Sequence, residues 1–375
     1  MRRLMNFGLD VRPSLSRPTG VGQYVRNIAD RLPGLAPDDH FVYFSASVRE
    51  RYPPRDWPAN VTLVDRRLPV NGLNFAWNRI GWPPLDRLVR TSLDLVHSPH
   101  PLLVPAQRAR RIVTLHDLFF LKHPEMTGAE IRRDYVALVR DHVRRADGVI
   151  CVSEHTAREA QRLLDVAPDR IAVTPLGVDP SFRERPTTRQ IDDVLYRLRL
   201  PRGGILYVGT DERRKNLVSL VMAYLTLSRR RRDVPPLVLA GPGSHWAQGG
   251  DRFGPQIRAT GYLPGEAVRA LMAVSAVLVL PSLEEGFGLP VVEAMAAGLP
   301  VICSSGSALE EVAGDAATLV DAGDPGALAH AIERLLDDPQ RAEEQRARGL
   351  ERSARFDWDD TAARTLAFYR AVLGR

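Results

Sequence analysis

Short apolar runs, rich in β-branched residues, alternate along the chain with amphipathic stretches of helical periodicity. Such runs are typical of strands buried on both faces of a parallel sheet, with helices as the connections. The alternation therefore predicts an α/β fold. The predicted strands are residues 5–9, 41–44, 61–64, 93–97, 111–115, 148–152, 171–173, 204–208, 237–240, 276–280, 300–303 and 317–319.

The alternation is interrupted once, by the turn-rich sequence 174–180 and the charged segment 183–199. We place a hinge there, because few packing contacts cross sequence of this kind. The interruption predicts an N-terminal domain over residues 1–180 and a second domain over residues 181–356. In the first half we expect helices at 21–32, 131–145 and 154–164, the last with Ser153 as its N-cap.

The composition is that of a globular protein. The chain has 375 residues, 44% hydrophobic and 26% charged, which is enough for two domains with separate cores. No apolar run approaches the length of a membrane span, and the N-terminal sequence lacks the apolar core of a signal peptide. We therefore expect a cytoplasmic protein. Cys151 and Cys303 lie in apolar runs far apart and are expected to be reduced core residues.

The positive charge is unevenly distributed. Residues 1–180 contain 26 basic and 20 acidic residues, whereas residues 181–375 contain 25 of each, so the first part carries the whole net charge of +6. A basic surface suits an anionic membrane or a pyrophosphate-linked acceptor, while no nucleic-acid-binding motif is recognisable. The alternative is that the charge serves solubility alone.

Aromatic residues are concentrated in the turn-rich stretch 57–82, which holds three of the five tryptophans. Aromatic side chains on such a stretch contact an acceptor lipid or the membrane interface, or else pack as a hydrophobic cluster under a long loop. If the protein contacts anionic membranes peripherally, the expected contact residues are Arg133, Arg140, Arg144, Trp77 and Trp82.

The densest chemical signal is the sequence EGFGLPVVEAMAAGLP at residues 285–300. Glu285 and Glu293 lie on either side of a glycine-rich turn that enters a helix. The first amides of a helix have no partner within it and attract anions, so the turn suits a phosphate. The two carboxylates then suit hydroxyl-rich groups beside that phosphate. A nucleotide sugar has this layout, with a diphosphate between a sugar and a ribose.

This stretch resembles the E-x7-E signature of retaining glycosyltransferases of family four, whose GT-B architecture has two facing Rossmann-like domains. The resemblance implies that Glu285 contacts the transferred sugar and that Glu293 holds the ribose. It further implies that the C-terminal helix, over residues 357–375, packs back on the N-terminal domain. The other residues expected in the donor-binding turn are Gly286, Phe287, Gly288 and Leu289.

A second cluster is the sequence GTDERRKN at residues 209–216. Cations fixed beside a departing diphosphate lower the barrier to its departure. Lys215 is one of only two lysines among 51 basic residues, which suggests that lysine is required there. The resemblance implies that Lys215 contacts the diphosphate. Thr210 stands where the family has an arginine, and Arg213 and Arg214 are the candidates to supply the missing charge.

A third cluster, with His116 and Asp117, follows the predicted strand 111–115. The tips of parallel strands are where ligands bind in open α/β sheets. The resemblance implies that His116 faces the sugar, with Asp117 orienting its ring. It also implies that Gly20 meets the donor diphosphate and that the loop at Leu263 reads the nucleotide base through its backbone.

These signals predict a retaining hexosyltransferase that uses no metal and no cofactor, since arginine, lysine and helix amides supply the positive charge beside the diphosphate. We expect transfer of mannose or a similar hexose from a nucleotide-diphosphate sugar, with a GDP-sugar favoured. The expected acceptor is a glycan or a pyrophosphate-linked lipid of cell-surface polysaccharide biosynthesis, reached on the inner face of the membrane. Two alternatives stay open: a sugar-nucleotide epimerase of GT-B fold, and a non-catalytic nucleotide-binding scaffold.

Overall fold

A computed structural model describes residues 3–15, 20–127, 134–243 and 256–374. The chain divides into two compact units. Unit 1 comprises Met1–Gly177 together with Trp358–Arg375, and unit 2 comprises Val178–Asp357. The sequence placed the corresponding boundaries after residues 180 and 356. Each unit is an α/β structure with a parallel sheet, as the alternating pattern predicted.

Unit 1 is built on seven strands in the order β3-β2-β1-β4-β5-β6-β7, and every neighbouring pair is parallel. The central strands are covered on both faces, which explains their continuous apolar sequence. The strands are β1 (Asn6–Asp10), β2 (His40–Ala46), β3 (Val61–Arg66), β4 (Leu95–Ser98), β5 (Arg110–Leu115), β6 (Gly148–Cys151) and β7 (Ile171–Val173).

Helices cover the sheet of unit 1. Ser153 accepts a hydrogen bond from the Thr156 amide, which confirms it as the N-cap of α6. The chain returns to this unit in α14, where the Thr361 hydroxyl donates to the Pro175 carbonyl at 2.6 Å. The helices are α1 (Gly20–Leu35), α2 (Val70–Phe75), α3 (Leu85–Val89), α4 (Phe119–Lys122), α5 (Val136–Arg145), α6 (Glu154–Leu164) and α14 (Trp358–Val372).

Unit 2 has six parallel strands in the order β10-β9-β8-β11-β12-β13. These are β8 (Ile205–Val208), β9 (Leu237–Ala240), β10 (Ile257–Gly261), β11 (Val277–Leu280), β12 (Val301–Ser304) and β13 (Thr318–Val320). Its helices are α7 (Thr188–Leu198), α8 (Leu217–Arg230), α9 (Gly265–Met272), α10 (Leu289–Ala296), α11 (Ala308–Ala313), α12 (Pro325–Asp337) and α13 (Pro339–Ser353).

The segment expected to be an aromatic loop is helical. Residues 70–75 form α2 and a π-helical turn follows at Ala76–Ile80. Trp77 is buried, its indole donates to the Pro83 carbonyl, and its ring lies 5.6 Å from that of Phe44. Trp77 is therefore a core residue, and its prediction as a membrane anchor is wrong. Trp82 is exposed.

Other expectations have mixed outcomes. Cys151 and Cys303 are free and buried, as predicted.

Of the basic residues expected to contact a membrane, Arg140 and Arg144 are exposed on α5. Arg133 and the start of the predicted helix 131–145 lie outside the described residues. Over the described part of the chain, no helix is both long and apolar enough to span a membrane.

Both sheets contain a point where the strand order reverses. In unit 1, β1 lies between β2 and β4, and in unit 2, β8 lies between β9 and β11. Connections leave such a point in opposite directions, which opens a crevice at the carboxyl ends of the strands. The carboxyl ends of β1 and β4 in unit 1, and of β8 and β11 in unit 2, are therefore the places to look for binding sites.

Candidate active site

In unit 2, the loop between β11 and α10 holds Glu285. The loop ends at Gly288, whose φ of +96° belongs to the left-handed region. A Cβ on Gly288 would lie 2.3 Å from a methyl carbon of Leu309, so the position needs glycine both for its conformation and for space. Helix α10 then begins at Leu289, and Glu285 precedes it while Glu293 lies inside it, as the motif predicted.

Glu285 is buried against two cations. Its Oε1 lies 2.5 Å from Lys215 Nζ and 2.8 Å from the Ser282 hydroxyl, and its Oε2 lies 3.2 Å from Arg214 Nη1. Burial by itself would raise the pKa of Glu285, but Lys215 and Arg214 outweigh it and lower that pKa. Glu285 is therefore an ionised carboxylate at neutral pH.

The cations come from the turn Arg213–Lys215, which follows β8. The Leu283 amide donates to the Arg214 carbonyl at 2.7 Å, so the turn is joined to the loop that carries Glu285. The Glu212 carboxylate accepts from Arg214 Nε at 2.7 Å and from the Thr210 hydroxyl at the same distance. The structure thus brings Arg214 to Glu285, while the Arg213 side chain is exposed and has no ion pair with another described residue.

Glu293 has the opposite electrostatic character. It lies on the buried face of α10, and burial, with a contribution from Asp179, raises its pKa to about 7. Its carboxylate has no hydrogen-bond partner among the residues that the structure describes. A buried carboxyl group without a partner is costly and is typical of a group that meets its partner in a ligand.

The remaining residues predicted for unit 2 have different surroundings. Phe287 is buried and packs edge-on against Phe356 at 5.6 Å, so its side chain holds the loop in place. Leu263 lies half-buried in the loop that follows β10. Gly286 lies in the loop between Glu285 and the start of α10.

In unit 1, His116 lies just beyond β5. Its Nε2 donates to the Pro99 carbonyl at 3.0 Å, and its ring stands edge-on to Tyr24 at 5.1 Å. Burial lowers the pKa of His116 to about 4, so the ring is neutral. Pro99 accepts the hydrogen bond from Nε2, and Asp117 accepts one from the Phe119 amide; that Asp117 orients the ring stays a prediction. Gly20 is the first residue of α1.

The structure adds polar residues that the sequence reading missed. Asp10, the last residue of β1, is fully buried in an ion pair with Arg12, and His100 lies against it just beyond β4. The sequence did contain a signal for both Asp10 and His100. The run NFGLD ends an apolar strand on a carboxylate, and SPH follows another apolar strand.

Each unit has a parallel sheet with a reversal in its strand order, and in unit 2 a carboxylate paired with two cations precedes the start of a helix. These features are those of a glycosyltransferase of GT-B architecture. The chain belongs to glycosyltransferase family 4. Residues 18–182 match the family described as "Glycosyltransferase Family 4", and residues 202–338 match "Glycosyl transferases group 1".

The similarity extends to individual proteins. The chain is 34% identical over 287 residues to the O-antigen chain mannosyltransferase B of Escherichia coli, covering 74% of each. Its fold matches the sucrose-phosphate synthase of Thermosynechococcus elongatus with a TM-score of 0.79, at 21% identity and 99% coverage of both chains. It matches HepE of Anabaena in complex with UDP-glucose with a TM-score of 0.68, at 17% identity, covering 97% of this chain and 99% of that one.

Proposed function

We propose that this glycosyltransferase moves mannose or a related hexose from a nucleotide-diphosphate sugar, with retention of anomeric configuration and without a metal ion. The observation that carries the proposal is the pairing of Lys215 and Arg214 with the buried Glu285 beside the start of α10. The likeness to an O-antigen mannosyltransferase favours mannose and a role in cell-surface polysaccharide biosynthesis, and the donor we propose is a GDP-sugar.

The two cations suit a leaving diphosphate. Glu285 holds Lys215 and Arg214 in place, and the donor diphosphate takes over part of their hydrogen bonding when it binds. Charge that develops on the departing phosphate is then met by two fixed cations and by the positive end of the α10 dipole. Because these groups already supply the positive charge, a divalent ion is not needed for the departure.

The two glutamates have separate roles in this proposal. Glu285, ionised in the loop between β11 and α10, binds hydroxyls of the transferred sugar, whereas Glu293 binds the ribose diol. The likeness to a structure that holds UDP-glucose supports a nucleotide-sugar donor, and the loop at Leu263 would contact the base. Transfer proceeds on one face of the sugar. The bond from the anomeric carbon to the phosphate oxygen breaks, the acceptor oxygen bonds to that carbon, and the acceptor proton passes to the departing phosphate.

The acceptor is a glycan or a pyrophosphate-linked lipid at an anionic membrane surface. Phe75 and Ile80 are exposed on α2 and the π-helical turn, and Trp82 follows them. Side chains five residues apart lie on one face of a π-helix, so Phe75 and Ile80 present an apolar surface together. These residues replace Trp77 as the proposed membrane contact.

A screen of nucleotides tests the donor proposal. Thermal unfolding is measured with GDP, UDP, ADP and dTDP, and the cognate nucleotide at one hundred times its dissociation constant should add about 2.7 kcal/mol to the stability. Incubation of the matching nucleotide sugar without acceptor then separates the alternatives. Slow release of nucleotide and free sugar supports the transferase. A changed sugar still linked to nucleotide would identify an epimerase, and no turnover with or without an acceptor would identify a scaffold.

A further inference from the structure

A buried ion pair at the end of β1 fixes one carboxylate rigidly. Arg12 Nε donates to Asp10 Oδ1 at 2.8 Å, and Arg12 Nη2 donates to Asp10 Oδ2 at 2.7 Å. The same guanidinium donates to Asn74 Oδ1 at 2.9 Å and lies 4.5 Å from the centre of the Trp77 ring. Asp10 is fully buried. Burial would raise its pKa, but Arg12 and His100 hold the pKa of this carboxyl well below its usual value.

Of the two described side chains that pair with this carboxylate, His100 is the more exposed to solvent. Its Nε2 lies 3.3 Å from Asp10 Oδ2, and its side chain is 29% exposed. An ionised carboxylate can only accept hydrogen bonds, so Nε2 carries the proton and donates it. In the neutral ring, the lone pair therefore lies on Nδ1. Among the described residues, Nδ1 of His100 has no hydrogen-bond partner.

The position of His100 is that of a ligand-binding residue. β1 and β4 are neighbours at the point where the strand order of unit 1 reverses, and His100 lies two residues beyond β4. His116 lies at the same edge of the sheet and is held by Pro99, the residue before His100. Both rings donate from Nε2 to the protein, so in the neutral tautomer Nδ1 is the acceptor, and it has no hydrogen-bond partner in the described part of the chain.

The chemistry of this position favours a hydroxyl group over a phosphate. A lone pair on Nδ1 accepts a hydrogen bond from a hydroxyl, but it repels an oxyanion. The ionised Asp10 on the other side of the ring adds to that repulsion. The donor diphosphate is therefore an unsuitable ligand for His100, whereas a sugar hydroxyl is a suitable one.

We propose that Nδ1 of His100 binds a hydroxyl of the acceptor sugar, and that Asp10 and Arg12 are positioning residues that fix its tautomer and orientation. The inference rests on the proposed function, because it names the group that holds the acceptor in that reaction. It assigns to unit 1 an acceptor-binding residue that the E-x7-E and lysine motifs do not include.

Two substitutions distinguish the roles of the two ring nitrogens of His100. In His100→Gln, the side-chain amide keeps a donor near the Nε2 position for Asp10 but places nothing at the Nδ1 position. In His100→Asn, a polar atom remains near the Nδ1 position and the contact with Asp10 is lost. His40→Gln is the matched control, since His40 is hydrogen-bonded to Thr62 at the amino end of β2, at the opposite end of the strands from His100.

The assay uses GDP-mannose as donor and octyl α-mannoside as acceptor. We expect His100→Gln to raise the acceptor KM about tenfold or more, the effect of one hydrogen bond lost to a buried partner. The acceptor KM of His100→Asn should lie between that of the wild type and that of His100→Gln. Donor hydrolysis without acceptor, nucleotide affinity and thermal unfolding should match those of His40→Gln and the wild type.

Each contrary result has a distinct meaning. An acceptor KM for His100→Gln equal to that of the wild type overturns the role of His100 while wild-type donor hydrolysis keeps the proposed function intact. A loss of nucleotide affinity in His100→Gln overturns it as well, because His100 would then belong to the donor site. If the wild type neither hydrolyses nor transfers from any donor of the nucleotide screen, the proposed function fails and the assignment of His100 fails with it.

Discussion

At the scale of single residues, the two glutamates of the E-x7-E motif are tuned in opposite directions by their neighbours. Glu285 is paired with Lys215 and Arg214, which lower its pKa. Glu293 has no cation beside it among the described residues, and burial raises its pKa to about 7. Two carboxyl groups in one site with divergent pKa values are typical of groups with different tasks.

The raised pKa of Glu293 predicts pH-dependent nucleotide binding. Ribose hydroxyls donate to a carboxylate, so the ligand favours the ionised form, and affinity should rise as pH increases from about 5.5 to 7.5. Calorimetry in buffers of different ionisation enthalpy should detect proton release on binding below pH 7. In Glu293→Gln the part of the pH dependence that comes from Glu293 should vanish. An unchanged pH profile in this variant would refute the ribose-binding role.

The same shift predicts an effect on stability. Because the folded-state pKa of Glu293 exceeds the ordinary 4.5, its contribution to stability is present below about pH 4.5 and is lost as pH rises through 7. Relative to the wild type, Glu293→Gln should therefore gain on the order of 3 kcal/mol between pH 4.5 and pH 8. Denaturant unfolding at the two pH values measures this difference, and a constant difference would contradict it.

The ion pairs of Glu285 predict a separation of binding from transfer. Glu285→Gln removes the charge that competes with a diphosphate for Lys215 and Arg214, so nucleotide affinity should be equal to or higher than that of the wild type. Transfer should fall at least tenfold, a barrier increase of about 1.4 kcal/mol or more. Initial rates and titrations with the nucleotide test both statements. Transfer above a tenth of the wild-type rate would remove Glu285 from the reaction.

Among the secondary-structure elements, the sequence predicted the strands that contain an apolar run and missed β10, which lacks one. β10 has the sequence IRATG at the edge of the sheet, and its polar residues hide it from a search for apolar runs. The π-helical turn at Ala76–Ile80 was read as a loop because Asn71, Gly72 and Asn74 are common in turns. Here tertiary packing of Trp77 outweighs the local preference of the chain.

The site was predicted to the extent that short motifs contain it. Glu285, Glu293 and Lys215 lie in contiguous sequence signals, whereas Asp10 and His100 meet only because β1 and β4 are neighbours in the sheet. Pairs that depend on sheet order cannot be read from spacing along the chain. The choice between Arg213 and Arg214 likewise required the shape of the turn.

The close approach of two strand ends in unit 2 gives a test of this packing. A Cβ on Gly241 would lie 1.7 Å from the backbone oxygen of Gly209, in the loop that leads to Lys215. Gly241→Ala should therefore lower the free energy of unfolding by about 3 kcal/mol or more and weaken nucleotide binding. Gly265→Ala is the control, because a Cβ there meets nothing within 4 Å, and it should be neutral within about 0.5 kcal/mol. Equal effects of the two substitutions in denaturant unfolding would contradict the account.

In the whole molecule, the two units share one architecture but differ in charge and in the candidate sites that they contain. Unit 1 contains most of the sequence that carries the excess positive charge, residues 1–180, and it also contains the exposed Phe75, Ile80 and Trp82. Unit 2 contains the cationic turn and the E-x7-E glutamates. This division suits an enzyme that receives its acceptor on one unit and its donor on the other.

The charge and the apolar residues together predict peripheral membrane binding. The protein should float with anionic vesicles at low salt and dissociate at about 0.5 M salt, since exposed charges are screened there. Replacement of Phe75 and Trp82 by serine should reduce flotation. Tyr196→Ser, at an exposed aromatic residue of unit 2, should not. Absence of flotation at low salt would leave a soluble acceptor as the better interpretation.

The anomeric configuration of the product shows whether this enzyme retains or inverts the configuration of the transferred sugar. The wild-type enzyme is given GDP-α-mannose and octyl α-mannoside in the presence of EDTA, and the linkage formed is determined by NMR. A retaining, metal-independent transfer, with Lys215 and Arg214 stabilising the leaving diphosphate, predicts a new α-mannosidic bond at an undiminished rate. A β-linked product, or a reaction that stops with EDTA and resumes with magnesium or manganese, would contradict it.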